Sequence, residues 1–152
     1  MKKDKNLQLN SDKKYNLTHL DPEKAFERHI FHRDMFGHYL RWVHVLREAK
    51  IGMNILDVGC GRGELLEVLY RNRFKPGRYL GLDIRKQTIE KVKEKYSKLD
   101  FASFEVQDLA IPWKLLIPEK WHIICSFEVM EHVNKKNGDQ FLQNIVNHCD
   151  ND

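Results

Sequence analysis

Seven consecutive residues, Asp57-Val58-Gly59-Cys60-Gly61-Arg62-Gly63, carry the most specific chemistry in the sequence. Glycines at alternate positions permit a tight turn and let a ligand lie against the main chain. The turn leads straight into a helical pattern, and the first N–H groups of a helix lack intrahelical acceptors. Loops of this kind bind several classes of nucleotide, so spacing has to decide between them. The dinucleotide fingerprint G-x-G-x-x-G puts its third glycine at position 64, but this chain has Glu64 there and its third glycine is Gly63. An acid beside a pyrophosphate is repelled by it, whereas a ligand without phosphates meets no such penalty. No G-x-x-x-x-G-K-[ST] phosphate loop occurs in the chain. Asp57, two residues before the first glycine, suits a cationic amine better than a phosphate.

Two further acids extend the pattern. Asp83 closes Leu80-Gly81-Leu82-Asp83, and an acid about twenty residues beyond a glycine loop can accept hydrogen bonds from both hydroxyls of a ribose. Asp108 follows Val106-Gln107, placed to meet an adenine amino group. Any one of these acids alone reads as a solvated carboxylate at a strand end. Three at successive strand exits, together with the glycine loop, read as one site for a nucleoside that carries an amine.

The segment Phe127-Glu128-Val129-Met130-Glu131-His132-Val133 follows the fourth apolar run. It belongs at the carboxyl edge of a parallel sheet, where ligands of open α/β sheets collect. Glu128, Glu131 and His132 are therefore the candidates for contact with a reacting substrate, with His132 as acid or base. His29 and His32 form H-x-x-H on an earlier helical stretch, but two histidines without a third ligand are poor evidence for a metal.

The elements that must position these residues are legible as alternating patterns. Asp21-Pro22-Glu23 reads as a helix start, and apolar residues from Phe26 to Leu46 recur at three- and four-residue steps, giving an amphipathic helix over 21–50 that Gly37 is expected to break. Short apolar runs then predict strands at 53–58, 78–84, 101–107 and 121–127. Helices are predicted at 63–71, 86–98 and 137–149. Such alternation predicts an α/β fold, a Rossmann-like doubly wound parallel sheet with helices on both faces.

Bulk properties narrow the class. A chain of 152 residues with 41% hydrophobic composition makes one domain, with residues 1–20 as a flexible basic tail ahead of a domain over 21–152. The tail's Lys2, Lys3, Lys5, Lys13 and Lys14 against Asp4 and Asp12 account for most of the net charge of +4. Nucleic acid as a partner is therefore open but unsupported. No apolar run is long enough to cross a membrane, and no apolar stretch follows the amino-terminal lysines as a secretory signal requires. Cys60, Cys125 and Cys149 lack metal spacing, and their odd number argues against a disulfide framework, so a cytoplasmic, reducing setting is expected.

ILDVGCGRGELLEVL, YLGLDIR, VQDL and IICSFEVMEHV, in that order, resemble successive motifs of the class I S-adenosylmethionine-dependent methyltransferases, over roughly residues 53–133. The resemblance implies S-adenosylmethionine as cofactor and in-line transfer of its sulfonium methyl to an O, N, C or S nucleophile of an acceptor, a small molecule or RNA. It assigns Asp57, Gly59, Gly61 and Gly63 to the methionine portion, Asp83 to the ribose, and Asp108 with Leu109 to adenine. Cys60, Ile84 and Phe127 also fall among the cofactor contacts.

The E-x-x-E-H segment is similar to those of ubiquinone-biosynthesis O-methyltransferases and of small-RNA 2′-O-methyltransferases. In the latter group Glu, Glu and His help to hold a divalent metal with a further ligand from downstream. That ligand has no counterpart here and His148 lies in the wrong element, so no tight metal site is expected. The family's sheet has seven strands, whereas this chain supplies four, in the expected order 3-2-1-4. The apolar fourth strand would then lie at an edge, to be covered by self-association or by the amino-terminal segment. A shortened, non-catalytic module that binds the cofactor or a protein partner is the alternative reading.

Overall fold

A computed structural model describes residues 31–116 and 120–150, with side-chain surroundings from residue 40 onward. The basic tail, the helix start at Asp21 and Pro22, and His29 lie outside the described residues. Helix α1 spans Phe31–Glu48 and runs through Gly37 without interruption, contrary to the expected break. A single glycine costs a helix about 1 kcal/mol relative to alanine, which the flanking turns and the burial of Trp42 and Val45 can offset.

Four parallel strands follow: β1 (Ile55–Val58), β2 (Tyr79–Asp83), β3 (Ala102–Val106) and β4 (Ile123–Ser126), in the order β3-β2-β1-β4. Between them lie α2 (Glu64–Arg71) and α3 (Lys86–Lys95), and α4 (Gly138–His148) follows β4. The Rossmann-like topology expected from the alternating pattern is thus present. All four residues of β1 and all five of β2 are buried, which is what apolar runs without polar alternation produce in a sheet covered on both faces.

Strand alternation sorts the core into two layers. Ile55, Tyr79, Phe104 and Cys125 pack with Trp42 and Val45 of α1, with Leu65, Leu66 and Leu69 of α2, and with Ile89 and Val92 of α3. Leu56, Val58, Leu80 and Leu82 face the other way, onto Leu109, Trp113 and Phe141. Asp57 lies two residues beyond Ile55 in β1 and therefore shares its face, that of α1, α2 and α3.

The strands are shorter than their apolar runs. Before β1, Gly77 donates to the Met53 carbonyl at 3.0 Å and Asn54 donates its N–H to His122 Nδ1 at 3.1 Å, so these groups are paired across neighbouring segments outside the regular ladder. Trp121 stands apart from β4 in a parallel bridge with Cys149, its N–H donating to the His148 carbonyl at 2.9 Å and its carbonyl accepting from Asp150 at 3.0 Å. Among the described residues, the segment after α4 thus pairs with Trp121, just ahead of the fourth strand.

Candidate cofactor-binding and active site

The glycine loop is hooked onto the end of β2. The N–H groups of Gly59 and Cys60 both donate to the Leu82 carbonyl, at 2.7 and 2.9 Å, so the chain reverses over the carboxyl edge of the sheet. Gly59, Gly61 and Gly63 have φ of 83°, 53° and 77°, in the left-handed region that glycine enters at little cost. Their roles differ. A Cβ on Gly59 would overlap the Val129 side chain, and one on Gly63 would lie 2.7 Å from Tyr96 and 3.0 Å from Val92. These two glycines make room for the protein's own residues. A Cβ on Gly61 would meet only flexible tips, Glu64 Oε2 at 3.2 Å and Arg85 Nη2 at 3.9 Å, so the open stretch of backbone is at Gly61.

Asp57 is buried, and its Oδ2 accepts a hydrogen bond from the Tyr79 hydroxyl at 2.5 Å. Burial pushes its pKa up to about 7 against the lowering effect of the Tyr79 bond, and the charges of Glu64 and Asp83 add to the rise. Cys60 is buried beside these acids, and burial followed by their charge raises its thiol pKa well above the ordinary range. It therefore acts as a small packing residue in the loop, not as a nucleophile.

Asp83 is also buried, at the last position of β2. Its carboxylate accepts from the Gly61 N–H at 3.2 Å, from the Arg85 N–H at 2.8 Å, and from Arg85 Nε and Nη2 at 3.2 and 3.3 Å. The ribose candidate and the glycine loop are thus one connected wall, with half-buried Ile84 in the same turn. Asp108 caps its own turn by accepting from the Ala110 N–H at 3.0 Å, and Leu109 is buried in the second core layer.

Beyond β4, Phe127 packs against the first core layer and Glu128 takes a left-handed φ of 55°, which is costly for a residue with a Cβ. Its Oε1 lies 2.6 Å from Arg41 Nη2 of α1, so an ion pair joins the amino-terminal helix to this loop. Glu131 is exposed and His132 half-buried on the one-turn 3₁₀ helix Met130–His132. Among the described residues no three His, Cys, Asp or Glu side chains converge to hold a metal ion.

Four contributors are absent from the sequence reading: Tyr79, Tyr96, Arg85 and Arg41. Tyr96, at the end of α3, donates its hydroxyl to the Gly63 carbonyl at 3.0 Å and stacks on Phe104 with ring centres 5.8 Å apart. A tyrosine that opens a strand or closes a helix reads as core. The hydroxyl is the signal that it can also hold a polar partner.

A family model described as a methyltransferase domain matches residues 31–151. The mitochondrial ubiquinone biosynthesis O-methyltransferase of Dictyostelium discoideum is 30% identical over 108 residues, which covers 62% of this chain and 32% of that protein. The curated relatives it matches are much longer, and the chain spans between 32% and 39% of their length. Among solved structures, N-methyltransferase NodS from Bradyrhizobium japonicum WM9, in complex with S-adenosyl-L-homocysteine, superposes with a TM-score of 0.61 at 18% identity, covering 74% of this chain and 56% of that one. PKMT2 from Rickettsia typhi, in complex with the same compound, gives a TM-score of 0.55 at 24% identity, covering 65% and 19%. With four fifths of its length matched by the family model, this chain belongs to the methyltransferase domain family.

Proposed function

We propose that this chain binds S-adenosylmethionine across the carboxyl edge of its sheet and is the cofactor-binding region of a methyltransferase. The observation that carries the reading is the wall formed by Asp83 and Gly61, in which a buried carboxylate is hydrogen-bonded to the one open glycine of the loop. The residues fit the group. A buried acid, Asp57, answers an ammonium, two carboxylate oxygens of Asp83 answer a vicinal diol, and Asp57, Glu64 and Asp83 together disfavour phosphate.

In this reading Asp57, Gly59, Cys60, Gly61 and Gly63 border the methionine portion. Asp83 and Ile84 hold the ribose, and Asp108 and Leu109 the adenine, with Phe127 against the cofactor. Bound S-adenosylmethionine supplies a methyl group activated by its sulfonium charge. The chain's residues orient the two reactants, and orientation supplies much of the rate in such transfers. Glu128, held by Arg41, is assigned to the border of the acceptor, and Glu131 and His132 are the groups assigned to take the proton of an acceptor hydroxyl or amine. The O-methyltransferase relative favours an oxygen acceptor.

The three free thiols, Cys60, Cys125 and Cys149, fit a reducing, cytoplasmic setting. No helix among the described residues is long and apolar enough to cross a membrane. The outer side of Ile123–Ser126, where the sheet ends among the described residues, is expected to be covered by a second copy of the chain or by its own amino-terminal segment. Light scattering that finds a monomer, together with fast amide exchange along this strand, would remove both forms of that expectation. The cofactor reading is tested by competition. S-adenosylmethionine and S-adenosylhomocysteine should bind and NAD should not, and Asp83→Ala should weaken binding by about 1.5–3 kcal/mol. Equal or tighter NAD binding would overturn it.

A further inference from the structure

The carboxylate of Asp83 has no acceptor capacity to spare. Oδ1 accepts from the Arg85 N–H at 2.8 Å and from Arg85 Nε at 3.2 Å, while Oδ2 accepts from the Gly61 N–H at 3.2 Å and from Arg85 Nη2 at 3.3 Å. A carboxylate offers about four lone-pair positions, and four donors fill them. Two of these donors are backbone groups, fixed by the glycine loop and by the turn after β2. The other two belong to one side chain, 39% exposed, and are the pair that can leave. The guanidinium lies beside the open face of Gly61, where Glu64 Oε2 also lies.

We propose that Arg85 is an affinity- and specificity-setting residue for the cofactor: its guanidinium holds Asp83 as a vicinal diol would, and a ligand enters by replacing both side-chain bonds with two donors of its own. This rests on the cofactor reading of the site. The displaced guanidinium is not stranded, because Glu64 lies beside the same glycine and can accept it. Arg85 is thus a positioning residue that competes with the ribose for Asp83, and cofactor affinity is set below what the bare carboxylate would give.

Calorimetry with S-adenosylhomocysteine on the wild type, R85A, R85K, D83A and the D83A/R85A double variant tests this. R85A is expected to bind roughly three- to tenfold tighter, the worth of a half-exposed ion pair. R85K, a point charge without the planar fork, should fall between the two. The double variant should match D83A, because the competitor acts only through its carboxylate. The R85A advantage should shrink as salt screens the wild-type pair, a response that a purely structural arginine would not give. Unchanged or weaker binding by R85A and R85K, with the wild type binding normally, overturns the Arg85 inference alone. Absence of binding by every variant, wild type included, overturns the cofactor reading and this inference with it.

Discussion

The Tyr79 hydroxyl donates to Asp57 Oδ2 at 2.5 Å between neighbouring strands β2 and β1, and both residues are buried. This bond limits the cost of burying the carboxyl but does not cancel it, and Asp57 titrates at about 7. Between pH of about 4 and 7 the unfolded chain has released this proton while the folded chain retains it. Folding stability from this group is therefore full at low pH and falls as pH rises through 7, by up to about 4 kcal/mol. Asp57→Asn should remove that part of the slope. Urea titrations of both proteins from pH 4.5 to 8 check it, and the difference between them cancels opposing groups such as Glu67, whose pKa is lowered by its bond to Lys95. Parallel stability curves for the two proteins would refute the assignment.

The same carboxyl couples ligand binding to pH. A cationic amine selects the ionised form, so affinity for S-adenosylhomocysteine should rise with pH up to about 7 and level off above it. Asp57→Asn should bind weakly without that rise. Wild-type affinity that is flat from pH 5.5 to 8 would separate Asp57 from the amine.

The glycines of the loop should not be equivalent. Gly59→Ala sets a Cβ into Val129 as well as a left-handed φ, and is expected to cost about 3 kcal/mol or more of stability. Gly61→Ala meets only mobile side-chain tips and should cost about 1 kcal/mol, the left-handed penalty alone, while weakening cofactor binding. Chemical denaturation ranks the two, and the reverse order of stability would contradict the packing described for Val129.

Arg41 and Glu128 join α1 to the loop after β4, with side chains 38% and 34% exposed. A pair this open is worth about 1 kcal/mol or less, so Arg41→Ala should scarcely change the unfolding midpoint. If Glu128 borders the acceptor, the same variant should lower methyl transfer more than it lowers cofactor affinity. A double-mutant cycle with Glu128→Ala measures the coupling, and additive effects on transfer would show that the pair has no part in it.

The strands were legible because runs such as Ile55–Val58 and Tyr79–Asp83 are apolar but for one acid each and lack polar alternation, as strands covered on both faces read, whereas their order in the sheet came from the family resemblance. Asp57, the glycines and Asp83 could be singled out because their spacing from strand ends is local, and the structure joins Asp83 to Gly61 of the loop. Arg85 and Arg41 were not legible, since the two-residue spacing of Asp83 and Arg85 does not by itself show that the guanidinium folds back onto the carboxylate, and Arg41 meets Glu128 only through tertiary packing. The occupants of the space left by Gly59 and Gly63 were likewise hidden. Val129 and Tyr96 reach the loop only through sheet register and helix packing, which local periodicity does not encode.

Isothermal titration of the whole chain with S-adenosylhomocysteine tests the central claim most directly. The account predicts saturable binding at one site per chain, weakened by Asp83→Ala and not displaced by excess NAD. A correctly folded chain that gives no binding heat with S-adenosylhomocysteine and no competition with S-adenosylmethionine would contradict it.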